Sequence, residues 1–123
     1  MNPPTTLVIE DDATNRKGLV RLLQYAGLLV DSASTVAEAI AKIRDRQPAI
    51  VLLDIHLPDG SGDQILDHLR ATRSPARICI ITGSIDSDER RKLERFGPDA
   101  IFIKPIYPER VLEWVNEIRE AMS

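Results

Sequence analysis

Glu10, Asp11 and Asp12 directly follow the apolar run Leu7-Val8-Ile9. Other apolar runs also end in residues able to do chemistry. Ile50-Val51-Leu52-Leu53 ends at Asp54, Ile80-Ile81 at Thr82-Gly83, and Ile101-Phe102-Ile103 at Lys104-Pro105. If these runs are buried parallel strands, their ends meet at one edge of one sheet. Several carboxylates and one ammonium then share a single place, and uncompensated carboxylates that close repel strongly. Magnesium relieves the repulsion by taking one or two carboxylates while keeping several waters, and it leaves a carboxylate able to act as a nucleophile.

The rest of the chain must position these ends. Five short apolar runs, Leu7 to Ile9, Leu28 to Val30, Ile50 to Leu53, Ile78 to Ile81 and Ile101 to Ile103, alternate with five amphipathic stretches. The continuous Ile- and Val-rich runs suit strands covered on both faces. Leu19, Leu22, Leu23 and Ala26 follow helical spacing, with Gly27 as the stop. Ser34 or Thr35 can cap a second helix with Val36, Ile40 and Ile43 inward and Pro48 beyond its end. Ile65, Leu66 and Leu69 mark a third helix, and a weakly amphipathic fourth runs from Ser87 to Phe96 with only Leu93 and Phe96 clearly apolar. The fifth turns Val111, Leu112, Val115 and Ile118 inward, with Trp114 half-buried at the edge of the stripe. Strands alternating with helices imply βαβ units and a parallel sheet. The expected architecture is a three-layer α/β fold with the flavodoxin-like strand order 2-1-3-4-5. Its ligand crevice lies outside the carboxyl ends of strands 1 and 3, where Asp11, Asp12 and Asp54 fall.

Composition bounds the function. The 123 residues suit one domain, 1–123, large enough for a real core. A net charge of −3 gives no reason to expect direct nucleic-acid binding. No apolar stretch approaches the ~20 residues needed to cross a bilayer. The first six residues lack the features of a signal peptide, and the lone Cys79 suits a buried structural thiol. A cytoplasmic protein with no membrane partner is expected.

Each singled-out residue has a plainer reading beside the chemical one. Asp54 could simply cap its loop, and Asp11-Asp12 could serve the dipole of the first helix while also binding metal. Thr82 could bond local backbone, Lys104 could be solvated, and Gly83 lets backbone approach a ligand closely. Spacing alone does not call for a cis bond at Lys104-Pro105, since X–Pro bonds are cis in only ~5–6% of folded cases. His56 and His68 read as solvated surface residues, because magnesium prefers oxygen.

Taken in order and at their spacing, Glu10-Asp11-Asp12, Asp54 with Leu57-Pro58 and Gly62, Thr82-Gly83 and Lys104-Pro105 resemble the receiver domain of two-component response regulators. The resemblance covers essentially the whole chain. It implies that Asp54 accepts a phosphoryl group from the phosphohistidine of a sensor histidine kinase or histidine phosphotransfer protein. It further implies that Asp11, Asp12, Asp54 and the backbone carbonyl of His56 bind Mg2+, and that Thr82 and Lys104 contact the phosphoryl oxygens. The bond before Pro105 is usually cis in that family. His56 and Ser84 would flank the path of the water that removes the phosphoryl group. Such a domain is a signalling switch, catalysing only its own phosphorylation and dephosphorylation. Its output to a partner or output domain runs through the fourth helix, fifth strand and fifth helix, which makes Arg90, Arg91 and Arg95 candidate contacts.

One position departs from the pattern. Receivers commonly carry an aromatic or His three residues before the lysine, and here that residue is Ile101, while Phe102 should face the opposite side of its strand. Other classes fit less well. A haloacid dehalogenase phosphatase needs a second Asp where His56 stands, and a flavin carrier needs a phosphate-cradling loop where Glu10-Asp11-Asp12 has the wrong charge. The alternative is a metal-free, non-phosphorylated pseudo-receiver used as an interaction module, and it should have lost some of these acids.

Overall fold

A computed structural model describes residues 5–83 and 86–122. The expected elements are present. Strands β1 (Thr5–Ile9), β2 (Leu29–Ala33), β3 (Ile50–Asp54), β4 (Arg77–Thr82) and β5 (Ala100–Ile103) form one sheet of order β2-β1-β3-β4-β5. Every pairing in it is parallel. Helices α1 (Ala13–Tyr25), α2 (Val36–Arg46), α3 (Gly62–Ala71), α4 (Ser87–Glu94) and α5 (Pro108–Met122) connect and cover it. This is the flavodoxin-like fold expected from the alternation.

The sheet is buried on both faces because alternate side chains feed two apolar layers. Leu7, Ile9, Val51, Leu53 and Ile80 pack with α2 and α3 and with Leu93 of α4. Val8, Ile50, Leu52, Cys79 and Ile81 pack with α1 and α5. Burial pushes the Cys79 thiol up to about 12, so it is the inert structural group expected.

Local signals set the element ends. The Thr35 hydroxyl accepts from the Glu38 amide at 3.1 Å and caps α2, resolving the choice between Ser34 and Thr35. Gly27, at φ +90°, turns the chain out of α1 where a side chain would be strained.

Three details differ from the sequence reading. The second strand runs on through Asp31 and Ser32 to Ala33; as an edge strand it can leave those polar side chains open to water. Helix α4 ends at Glu94, two residues early, before Gly97 at φ +70°. Trp114 is buried, at 7% exposure, whereas Leu112 is only partly so. The α5 stripe therefore follows 111, 114, 115 and 118, the spacing of one helical face.

Candidate functional site

Parallel register brings the chemistry together. Ile9 pairs with Leu53, so the residues that follow, Glu10 and Asp54, leave adjacent strands side by side. Thr82 pairs with Ile103, and the Lys104 amide donates to the Thr82 carbonyl at 2.7 Å. Lys104 thus enters from β5 with its peptide to Pro105 cis. Its ammonium donates to Glu10 Oε1 at 2.9 Å and to Asp54 Oδ2 at 3.1 Å. The second Asp54 oxygen, Oδ1, accepts from the His56 amide at 3.0 Å.

Two charges of one sign beside one of the other, mostly buried, shift their protonation. Burial is the largest cause at Glu10 and pushes it up to about 7, with the Asp54 carboxylate adding and Lys104 opposing. Burial also acts to raise Asp54, but the neighbouring Glu10, which holds the proton of the pair, the His56 amide and Lys104 outweigh it, so Asp54 lies below its ordinary value. Lys104 is raised: burial acts against its charge, and the two carboxylates more than offset that. Asp54 is therefore ionised at neutral pH and Glu10 is the group that can share a proton with it.

The structure brings together two of the three expected carboxylates and adds a third. Carboxylate oxygens of Glu10, Asp11 and Asp54 come within 4.8 Å of one another, and Asp12 is not among them. The Asp12 side chain instead caps α1, accepting from the Asn15 amide at 2.8 Å. The physical reason is local. The residue just before a helix turns its side chain onto free amides of the first turn, and Asp12 occupies that position. Glu10 takes its place in the cluster, at 2% exposure. Its spacing was the available signal, as it directly follows the last strand residue beside Asp54.

The donor set suits a hard divalent cation. It is all carboxylate oxygen, and Glu10 Oε2 is buried with no hydrogen-bond partner. The site residues would hold such an ion through Asp11 and Asp54 with Glu10 behind them.

Around this centre lie the remaining expected residues. Thr82 is fully buried at the end of β4. The His56 side chain is exposed, its Nε2 3.9 Å from Glu89 Oε1 on α4. Ile101 packs in the layer holding α2, α3 and Leu93, and Phe102 packs in the α1–α5 layer, so the two point to opposite faces as expected. His68 is partly buried on α3. Arg90 and Arg91 pair within α4 with Glu94 and Asp88. Ser84 lies outside the described residues. An open groove lined by Thr14, Asn15, Gly18, Leu22, Pro105 and Ile106 runs from Lys104 along α1.

Sequence reasoning missed the supports of this site. Asp59, in the loop after Asp54, accepts from the Val36 amide at 2.7 Å and the Ala37 amide at 3.1 Å, tying that loop to the start of α2. The Arg16 guanidinium donates to the carbonyls of Glu10 and Asp11. A long-range cap such as Asp59 leaves no mark in local spacing, and Arg16 reads as one more surface cation.

Known proteins place this geometry. Residues 6–116 match the family model described as the response regulator receiver domain. The acid tolerance regulatory protein ActR of Rhizobium meliloti is 35% identical over 77 residues, which is 63% of this chain and 40% of that protein. The transcriptional regulatory protein PrrA of Mycobacterium leprae is 29% identical over 105 residues, 85% of this chain and 45% of that one. The chain therefore spans less than half the length of these relatives. Among solved structures, a CheY-like response regulator receiver domain protein from Methanospirillum hungatei superposes with a TM-score of 0.90 at 28% identity, covering 96% of this chain and 95% of that one.

Proposed function

The chain belongs to the response regulator receiver domain family, and from that premise we propose that Asp54 accepts a phosphoryl group from a phosphohistidine donor. The observation that carries this reading is the state of Asp54. It is ionised, buried and bonded at once to Lys104 and the His56 amide, inside a cluster with Glu10 and Asp11.

Asp54 needs no general base because it is already a carboxylate. One of its oxygens forms the new O–P bond while the P–N bond of the phosphohistidine breaks, and the bonding pair stays on the imidazole. Phosphoryl transfer passes through a loose transition state, so positioning and charge neutralisation are the main tasks of the protein. Lys104 holds one developing phosphoryl oxygen, and Thr82 meets another from the end of β4. Mg2+, when bound by Asp11, Asp54 and the His56 carbonyl, supplies charge neutralisation at the transferred group. The groove along α1 supports an approach path for the donor.

The partners of this reading are a sensor histidine kinase or a histidine phosphotransfer protein, with output through α4, β5 and α5 to another domain or protein. We read residues 1–123 as one receiver domain working in the cytoplasm. It acts as a signalling switch that catalyses only its own phosphorylation and dephosphorylation. With Ile101 in the usual aromatic position, the inward movement of Thr82 draws an aliphatic side chain rather than a ring.

The test is incubation with magnesium and a small acyl phosphate, followed by intact-mass measurement. A single phosphoryl adduct is expected, absent in Asp54→Asn and absent with chelator. A folded, magnesium-binding protein that takes no phosphoryl group from either the acyl phosphate or a phosphohistidine donor would favour the pseudo-receiver reading instead.

A further inference from the structure

We propose that Arg16 is the positioning residue that aims Asp11 at the metal centre; the inference rests on the magnesium reading above. Asp11 is the exposed member of the carboxylate cluster, and no donor among the described residues holds its side chain. Glu10 and Asp54, by contrast, are both fastened by Lys104. Something else must set the direction of Asp11.

The backbone on either side does so. Arg16 Nη1 donates to the Glu10 carbonyl at 3.0 Å and to the Asp11 carbonyl at 3.2 Å. The first carbonyl belongs to the peptide plane before the Asp11 Cα, and the second to the plane after it. Because each peptide unit is planar, holding both carbonyls fixes both planes and so the direction of the Asp11 Cα–Cβ bond. The Arg16 backbone is itself seated. Its amide donates to the Asp12 carbonyl at 2.9 Å, inside the first turn of the helix that Asp12 caps. The acidic turn is pinned on its other side too, where the Glu10 amide donates to Ala33 of β2 at 3.0 Å.

Electrostatics makes the idea testable by sign. A nearby cation that merely sat beside the site would repel a divalent ion, so its removal would tighten metal binding. A residue that orients a ligand does the reverse, and losing such an outer support typically weakens metal affinity about 10–100-fold. The two roles predict opposite changes.

The experiment is titration of the folded protein with Mg2+ alone by calorimetry, for wild type, Asp11→Asn, Arg16→Ala and Arg16→Lys, alongside urea unfolding in chelator. Wild type should bind, and Asp11→Asn should bind far more weakly. If wild type does not bind, the magnesium reading itself fails. Given binding, Arg16→Ala should weaken it about tenfold or more, with its metal-free unfolding midpoint close to wild type. Arg16→Lys, which keeps the charge but falls short of the Nη1 position, should fall between. Affinity unchanged or tighter in Arg16→Ala would overturn the proposal. Should Arg16→Ala not fold, Arg16→Lys decides, and wild-type affinity in it would overturn the proposal equally.

Discussion

The ends of β1 and β3 and the helix α4 are held in different ways. Around Glu10 and Asp54 the backbone is fastened from several elements. Ala33 accepts from the Glu10 amide, Ile55 bridges to Ile81 and to Gly62, and Asp59 ties the following loop to α2. Gly62 sits so close that a Cβ there would lie 2.7 Å from Ile55 Cδ1, which makes that loop a tight fit as well. Helix α4 has one buried side chain, Leu93, and β5 beneath it is only partly covered. Its ties to neighbouring elements include an ion pair, Lys92 to Asp63 at 2.8 Å, and the approach of His56 to Glu89 at 3.9 Å. In the proposed reading a switch uses both kinds of region: a site that keeps its geometry, and an element with an alternative arrangement within a few kcal/mol.

The largest expected effect tests whether packing really differs between the two regions. Leu52, at 1% exposure in the central strand, and Leu93, also at 1%, are equally buried. Leu52→Ala should cost about 4 kcal/mol and Leu93→Ala about 2, because a lightly held helix can close the cavity and a central strand cannot. Urea unfolding of both variants measures this. Equal losses would break the comparison.

Next is the charge stored at the clamped end. In the folded, metal-free chain Glu10 keeps its proton up to about pH 7, whereas its unfolded value is 4.5. Between those values the folded state binds more protons, so stability should fall as pH rises, by about 3 kcal/mol across the window. Asp54 acts oppositely: its folded value lies below 3.8, so its contribution is present above that pH and lost on acidification. Lys104 is raised, so its contribution is present below 10.5 and lost above its folded value. Neither governs the window from 4.5 to 7. Unfolding in chelator across that range should show the slope, and Glu10→Gln should flatten it. Magnesium should stabilise the wild type more at pH 7 than at pH 5, since proton and metal compete for one cluster.

The smallest effect sharpens the other side. Lys92→Ala should leave the global unfolding midpoint almost unchanged while speeding amide exchange within α4, and added salt should shrink the difference from wild type. A global loss of stability would show that α4 is part of the clamped body after all.

How much of this could be read from the chain depends on the range of the contacts involved. The strand runs, the helical spacing, the Thr35 cap and the sheet order follow from local pattern and from the handedness of βαβ units. The meeting of Asp54, Thr82 and Lys104 follows in turn, since each directly ends an apolar run. The acidic trio was harder. A shift of one residue separates a carboxylate that joins the cluster from one that caps a helix: Glu10 lies with Asp11 and Asp54, while Asp12 accepts from the Asn15 amide. Trp114 shows the same sensitivity on α5, where one helical step moved it from the edge of the stripe into the core.

By itself, then, the sequence determined which kinds of group arrive at the carboxyl edge and in what order, because strand ends are local events with strong apolar signatures. Tertiary structure alone decided which acid faces inward, which cation seats its backbone and which loop leans on α2. Those choices rest on side-chain direction at a chain turn and on bonds such as Asp59 to Val36, between residues 23 apart in the chain. No local propensity encodes a partner at that distance. It exists only once the sheet has brought the two ends together.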